Sequence, residues 1–157
     1  METAQAEKST IAAIASALGG AVAVIRISGP EAISITDNCW SGSIPLSQSK
    51  PREMMLGNIC AQDEGVLDQA MAVTFVAPFS YTGEDMVELH CHGGALGARQ
   101  ILLKLLENGA RPAEPGEFTK RAFLNGKMDL TQAEAVADII NAHSTMALRL
   151  ATRQLKG

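Results

Sequence analysis

The chain reads as an α+β domain, a mixed β-sheet flanked by helices, followed by an incomplete all-α segment. Three observations predict this. Short apolar runs of strand length alternate with longer runs of helical spacing, the pattern of strands and helices sharing one core. The 157 residues, 46% of them hydrophobic, suffice for about one domain. From Thr131 onward, a long amphipathic stripe asks for a packing partner. The expected divisions are a disordered N-terminus over 1–9, a main domain over 10–128 and the start of a helical domain over 129–157.

Met1 to Ser9 is polar, with Glu2, Glu7 and Lys8 and no apolar core of a signal peptide. Ala21 to Ile27 reads as a buried strand, and Gly29-Pro30 starts a helix from about Glu31 to Asn38. Ser41 to Arg52 is a polar loop. Met54 to Cys60 and Gln69 to Phe75 read as strands joined by Gln62-Asp63-Glu64-Gly65. After a loop over Pro78 to Gly83, Met86 to Cys91 is the next strand. Ala95 to Asn108 is a helix carrying Leu96, Leu102, Leu103, Leu105 and Leu106 and ended by Gly109.

Pro115-Gly116 is a turn, and Glu117 to Leu124 has Phe118, Ala122 and Phe123 at helical spacing, closed by Asn125-Gly126. Asp129 and Thr131 can each cap the helix that follows. Thr131-Gln132-Ala133-Glu134 has the form of a capping box. Beyond it, Val136, Ile139, Ile140, His143, Met146, Ala147 and Leu150 share one stripe.

The formal charge is −4, from 13 Lys and Arg against 17 Asp and Glu, and the pI is near 5.3. That balance argues against a nucleic-acid surface, which needs a basic stripe to neutralise phosphates. Cys39, Cys60 and Cys91 are odd in number and far apart, predicting neither a disulfide framework nor a zinc finger. They fit a reducing cytoplasm. No run approaches transmembrane length. A GTP site needs a glycine loop ending in Gly-Lys-Ser/Thr; here Gly126-Lys127 is followed by Met128, so these residues form none.

Three residues stand out. Arg26 lies inside an apolar strand, where a guanidinium needs a carboxylate, a carbonyl or a ligand. A structural buried ion pair satisfies that demand as well. On the strand ending at His92, Val87, Leu89 and Cys91 point one way and Glu88, His90 and His92 the other. Glu88 can accept two parallel N–H bonds, as from an amino-pyrimidine edge, or simply belong to a solvent-facing strand side. Lys127, set by the Asn125-Gly126 turn, can reach an anionic group or be an ordinary solvated lysine. A metal site at His90-Cys91-His92 is not expected, because alternation turns Cys91 away from both histidines.

The run from Glu114 through Asn125-Gly126-Lys127-Met128-Asp129 to Ala135 closely resembles the signature of the MnmE (TrmE) family. This family comprises the bacterial GTPases that help modify the wobble uridine of certain tRNAs. Ala23-Val24-Ile25-Arg26-Ile27-Ser28-Gly29 looks like its N-terminal strand motif. The segment from Tyr81 to Gly94 looks like its central strand and glycine turn. The resemblance implies a domain similar to the tetrahydrofolate-binding domain of glycine-cleavage aminomethyltransferases. It also implies 5-formyltetrahydrofolate as ligand, with contacts at Arg26, Glu88 and Lys127, and a homodimer with the folate site at or near its interface.

For the whole protein, the resemblance implies a GTPase domain using GTP, Mg2+ and K+, interrupting a helical domain. It further implies the FAD protein MnmG as partner in modifying C5 of U34. This chain then corresponds to the N-terminal domain plus the first helix of the helical domain, as an expressed fragment or a truncated product. Alone it is expected to lack GTPase activity, to carry no catalytic residue and to bind tRNA weakly. One departure is the loop from Ser16 to Ala23, which is shorter than the family's glycine- and proline-rich loop and lacks its proline and arginine. Ala23 replaces a frequent glycine, so a backbone approach to ligand is expected to be crowded there. Two other readings stay open. One is a dimerisation and docking module without folate affinity. The other is a stand-alone one-carbon transferase using Glu88 as acid or base, which is disfavoured because the further domains of such enzymes are missing.

Overall fold

The computed structural model describes residues 8–63 and 65–156. Much of the N-terminus expected to be disordered lies outside the described residues. Ser9 lies inside them, and its hydroxyl accepts hydrogen bonds from Arg111 and Arg121.

The fold is α+β, as expected. Seven strands form one sheet among the described residues: β1 (Ile11–Ile14), β2 (Val22–Ser28), β3 (Trp40–Ser41), β4 (Met55–Ala61), β5 (Gly65–Phe75), β6 (Met86–His92) and β7 (Arg111–Pro112). Their order is β3-β4-β5-β6-β2-β1-β7. Neighbours are antiparallel except β1 and β7, which run parallel and make the sheet mixed. The helices are α1 (Ala32–Asp37), α2 (Ala95–Glu107), α3 (Glu117–Leu124) and α4 (Leu130–Lys156).

One sheet face carries Ala12, Ala23, Ile25, Ile27, Ile59, Ala72, Val87, Leu89 and Cys91, and it packs on Ala32 and Ile35 of α1 and on Ala98, Ile101 and Leu105 of α2. The strict alternation along β2 and β6 does this, since every second side chain meets the helices. Ala23 therefore turns its methyl into this core, away from Arg26. The crowding expected of Ala23 falls on the helix side.

Strand β1 lies where the sequence reading assigns no element. Four residues with two alanines carry no clear period, and pairing with β2 and β7 on either side makes them a strand. The loop after β1 is tied down by Ser16, whose hydroxyl accepts from Val24 N at 2.8 Å. The chain then passes so close to the turn after β6 that a Cβ on Gly93 would sit 1.7 Å from the Gly20 carbonyl oxygen. Only glycine fits there.

The loop expected over 41–52 contains the end of β3 and a short 3-10 turn, Leu46–Gln48. Asp37 Oδ1 and Oδ2 accept the amide N–H groups of Leu46 and Ser47 at 2.6 and 3.0 Å.

At the start of α4, the capping box forms two residues earlier than Thr131 and Glu134. Gln132 N donates to Asp129 Oδ1 at 2.8 Å, and Asp129 N donates to Gln132 Oε1 at 2.9 Å. Both pairs have the required spacing, and the aspartate pair wins because α4 begins at Leu130. Of the expected apolar stripe, Val136 and Ile140 are half-buried, Ile140 reaching Gly116 beside α3. Ile139, Met146 and Leu150 are exposed. The side chains of His143 and Ala147 lie outside what is described.

Candidate functional site

The second face of the sheet is covered at one end by α3 and by the loop from Phe79 to Glu84, and is open elsewhere. On it the register of β2 and β6 sets Arg26 directly opposite Glu88. Facing residues of an antiparallel pair hold their Cβ atoms about 5 Å apart, close enough for an ion pair. Arg26 Nε and Nη2 both donate to Glu88 Oε2, at 3.0 and 2.9 Å. The two side chains remain 23% and 18% exposed, so the pair is neither sealed nor fully solvated.

This geometry leaves the two carboxylate oxygens unequal. Oε2 takes both donors from Arg26, and no hydrogen bond reaches Oε1 among the described residues. The sequence offered a carboxylate with two open oxygens; the folded chain offers one. Two residues along β6, His90 Nε2 lies 3.5 Å from Oε1, too long for a good hydrogen bond. That nitrogen is buried and has no hydrogen-bond partner among the described residues.

Arg26 also has aromatic neighbours that sequence reading missed. Its guanidinium carbon lies 5.2 Å from the centre of the Tyr81 ring and 5.4 Å from that of Phe118, within cation–π range. The Tyr81 hydroxyl shares a hydrogen bond of 2.8 Å with Thr119 Oγ1, fixing the loop to α3. Phe118 is identifiable in the sequence as an apolar position of α3, but its cationic neighbour is not.

Lys127 leaves α3 through a Schellman turn. Lys127 N donates to Ala122 O and Gly126 N to Phe123 O, with Gly126 at φ +72°. Asn125 Nδ2 donates to Thr82 O at 2.8 Å, and the Lys127 stem passes Gly83 so closely that a Cβ there would meet Lys127 Cγ at 3.3 Å. Lys127 is exposed. The structure thus brings Arg26 and Glu88 into contact and links Lys127 to them through the loop that carries Tyr81 and Gly83 and through α3, which carries Phe118.

Behind this loop lies a second arginine that the sequence gave no reason to select. Arg121 on α3 is 3% exposed. Its Nη1 donates to Glu84 Oε1 and Oε2 at 3.2 and 3.1 Å and to the Ser9 carbonyl at 2.5 Å. Glu84 also accepts from Ser28 Oγ at 2.9 Å, and Ser28 shares a hydrogen bond with Thr82. Glu117 joins Arg111 to this cluster. Burial pushes its carboxyl up, but hydrogen bonds from Arg111 and Glu114 N, with the charges of Arg111 and Arg121, hold it below the usual value.

Beyond His90 the open face continues as a groove of about 380 Å3, lined by Val22, Leu56, Met71, His90 and His92 among others. His92 Nδ1 is 2.7 Å from Asp68 Oδ1, while Cys91 Sγ points to the Ala23 carbonyl in the core. Among the described residues no three His, Cys, Asp or Glu side chains converge as metal ligands, and no helix is long and apolar enough to cross a membrane.

Residues 10–127 match the family model described as the GTP-binding protein TrmE N-terminus. Proteins named tRNA modification GTPase MnmE are similar along most of the chain. That of Bacteroides thetaiotaomicron is 51% identical over 152 residues, 94% of this chain and 32% of the relative. That of Akkermansia muciniphila is 54% identical over 151 residues, covering 94% and 33%. That of Listeria innocua is 47% identical over 152 residues, covering 96% and 33%. The chain therefore spans about one third of the length of these relatives.

Proposed function

The chain belongs to the TrmE N-terminal family, and on that premise we propose that it is the folate-binding and homodimerising domain of a tRNA modification GTPase. Its ligand is 5-formyltetrahydrofolate, held by Arg26, Glu88 and Lys127. In the whole protein, GTP hydrolysis with Mg2+ and K+ belongs to other parts, and the full-length protein works with MnmG at C5 of U34. The chain's own residues carry no P-loop, and its net charge of −4 argues against a surface for tRNA, so it binds tRNA weakly alone.

The observation that carries this reading is the partly exposed Arg26–Glu88 pair, whose Oε1 accepts no hydrogen bond among the described residues and has only His90 Nε2 near it, at 3.5 Å. A structural ion pair has its lone pairs taken up; this one presents an acceptor beside an orphaned imidazole nitrogen. Such a group fits the N–H edge of an amino-pyrimidine. Lys127, exposed and held at a fixed turn, fits the anionic glutamate end. The bound folate would supply a one-carbon unit, or the shape of one, while these residues bind and orient it.

A second reading, docking without folate, is favoured by the apolar residues on the open face: Val22, Met54 and Leu56 are 54%, 46% and 59% exposed. Calorimetric titration with 5-formyltetrahydrofolate, beside Glu88→Ala and with sedimentation of both proteins, separates the two. Saturable binding lost in the variant supports the folate domain. A folded dimer without binding leaves the docking module.

A further inference from the structure

We propose that His90 is a specificity-determining residue of this site, donating from Nε2 to the ring carbonyl next to the amino-pyrimidine N–H edge, so that the site selects 4-oxo over 4-amino pteridines. The inference rests on the folate reading above and adds to it a residue and a rule of discrimination.

The argument begins with the strand. Residues two apart on β6 share a face, so Glu88 and His90 present side by side, and the Cα partner of His90 on β2 is Val24, which cannot hydrogen-bond through its side chain. On β5 its partner is Met71, equally unable to satisfy an imidazole N–H. Nε2 is accordingly buried without a hydrogen bond, 3.5 Å from Glu88 Oε1. A buried polar nitrogen left unpaired is costly and rare, and it asks for a partner from outside the chain. Because it faces a carboxylate oxygen, the tautomer with the proton on Nε2 is favoured.

Glu88 and His90 therefore form an acceptor next to a donor. A 2-amino-4-oxopyrimidine ring presents the complement: N–H donors at the amine and ring nitrogen, then a carbonyl acceptor adjacent to them. Exchanging the carbonyl for an amine puts a donor against a donor, and a site built to hydrogen-bond one group rejects the analogue lacking it.

The test is calorimetric titration of the full chain with 5-formyltetrahydrofolate and with its 4-amino-4-deoxy counterpart. The unaltered protein is expected to prefer the 4-oxo ligand by about tenfold or more. His90→Ala should weaken the 4-oxo ligand and level the preference, whereas His90→Gln, which keeps an N–H donor, should restore part of it. Equal affinity of the unaltered protein for both ligands overturns the proposal with no variant needed. So does a folded His90→Ala that keeps both affinity and preference. If binding is abolished by Glu88→Ala yet indifferent to His90, the folate reading stands and this one falls. If the unaltered protein binds neither ligand, both fall together.

Discussion

Arg26 and Arg121 lie at opposite ends of the same functional question. Both are paired with a glutamate, but only Arg26 stood out in the sequence as a charge among apolar residues. Arg121 is closed on every side: its side chain is 4% exposed, and Glu84, Ser9 and Glu117 surround it. Arg26 is 23% exposed, concentrates two bonds on one carboxylate oxygen and rests on two aromatic rings. The difference teaches that two arginine–glutamate pairs on one fold can differ in completeness of hydrogen bonding, Arg121 closed on every side and Arg26 left partly open.

The sharpest way to break the comparison is to remove each arginine. Arg121→Ala strands the largely buried Glu84 carboxylate, 16% exposed, and should destabilise the fold by about 3 kcal/mol, read from denaturant unfolding. Arg26→Ala should cost no more than about 1 kcal/mol, because its partner can be solvated. Equal losses would sink the distinction.

A next effect belongs to the sealed, helix-covered face. Burial, then the nearby Cys60 and Asp37 charges, push the Cys39 thiol up from 9.0 to about 11. The folded state thus holds this proton more tightly than the unfolded chain does. Its contribution is fully present below pH 9 and is lost as pH rises toward 11. At about 1.4 kcal/mol per unit, the decline should be roughly 3 kcal/mol larger in the parent than in Cys39→Ala. Matching slopes in the two proteins would refute it.

Glu117 behaves in the opposite sense. Its pKa is lowered, so its stabilisation holds above the ordinary carboxylate value of 4.5 and disappears as pH falls through the depressed one. Glu117→Gln should cost about 1 kcal/mol near neutrality, given the partial exposure of Arg111, and the gap should close in acid. A gap that persists at low pH would assign the loss to packing instead.

The smallest effect on stability is expected at the open site. Glu88→Ala should change unfolding free energy by less than about 1 kcal/mol while abolishing folate binding. A large destabilisation would mean that the pair is structural after all, and would turn Arg26 into a second Arg121.

Much of the site was legible in the residues. The alternation of β6 separated Val87, Leu89 and Cys91 from Glu88, His90 and His92, because a strand has only two faces. Asn125-Gly126 announced the turn that the Schellman bonds then complete. Resemblance supplied the identities of Arg26, Glu88 and Lys127 as a set. Other features stayed out of reach. The capping box slipped from Thr131 to Asp129 because two overlapping pairs carry the same spacing. Strand β1 was invisible because four residues hold too little pattern, and its strand state comes from neighbours distant in sequence.

The sequence by itself determined which chemical groups exist, which share a strand face and where the chain must turn, since these depend on residues within a few positions of one another. Only the tertiary structure decided which carboxylate each arginine meets, which Glu88 oxygen takes both Arg26 bonds and that His90 Nε2 makes no hydrogen bond among the described residues. Those outcomes depend on the register between strands about sixty residues apart and on the placement of α3 across the sheet. They are set by the simultaneous burial of the whole opposite face, which no local pattern encodes.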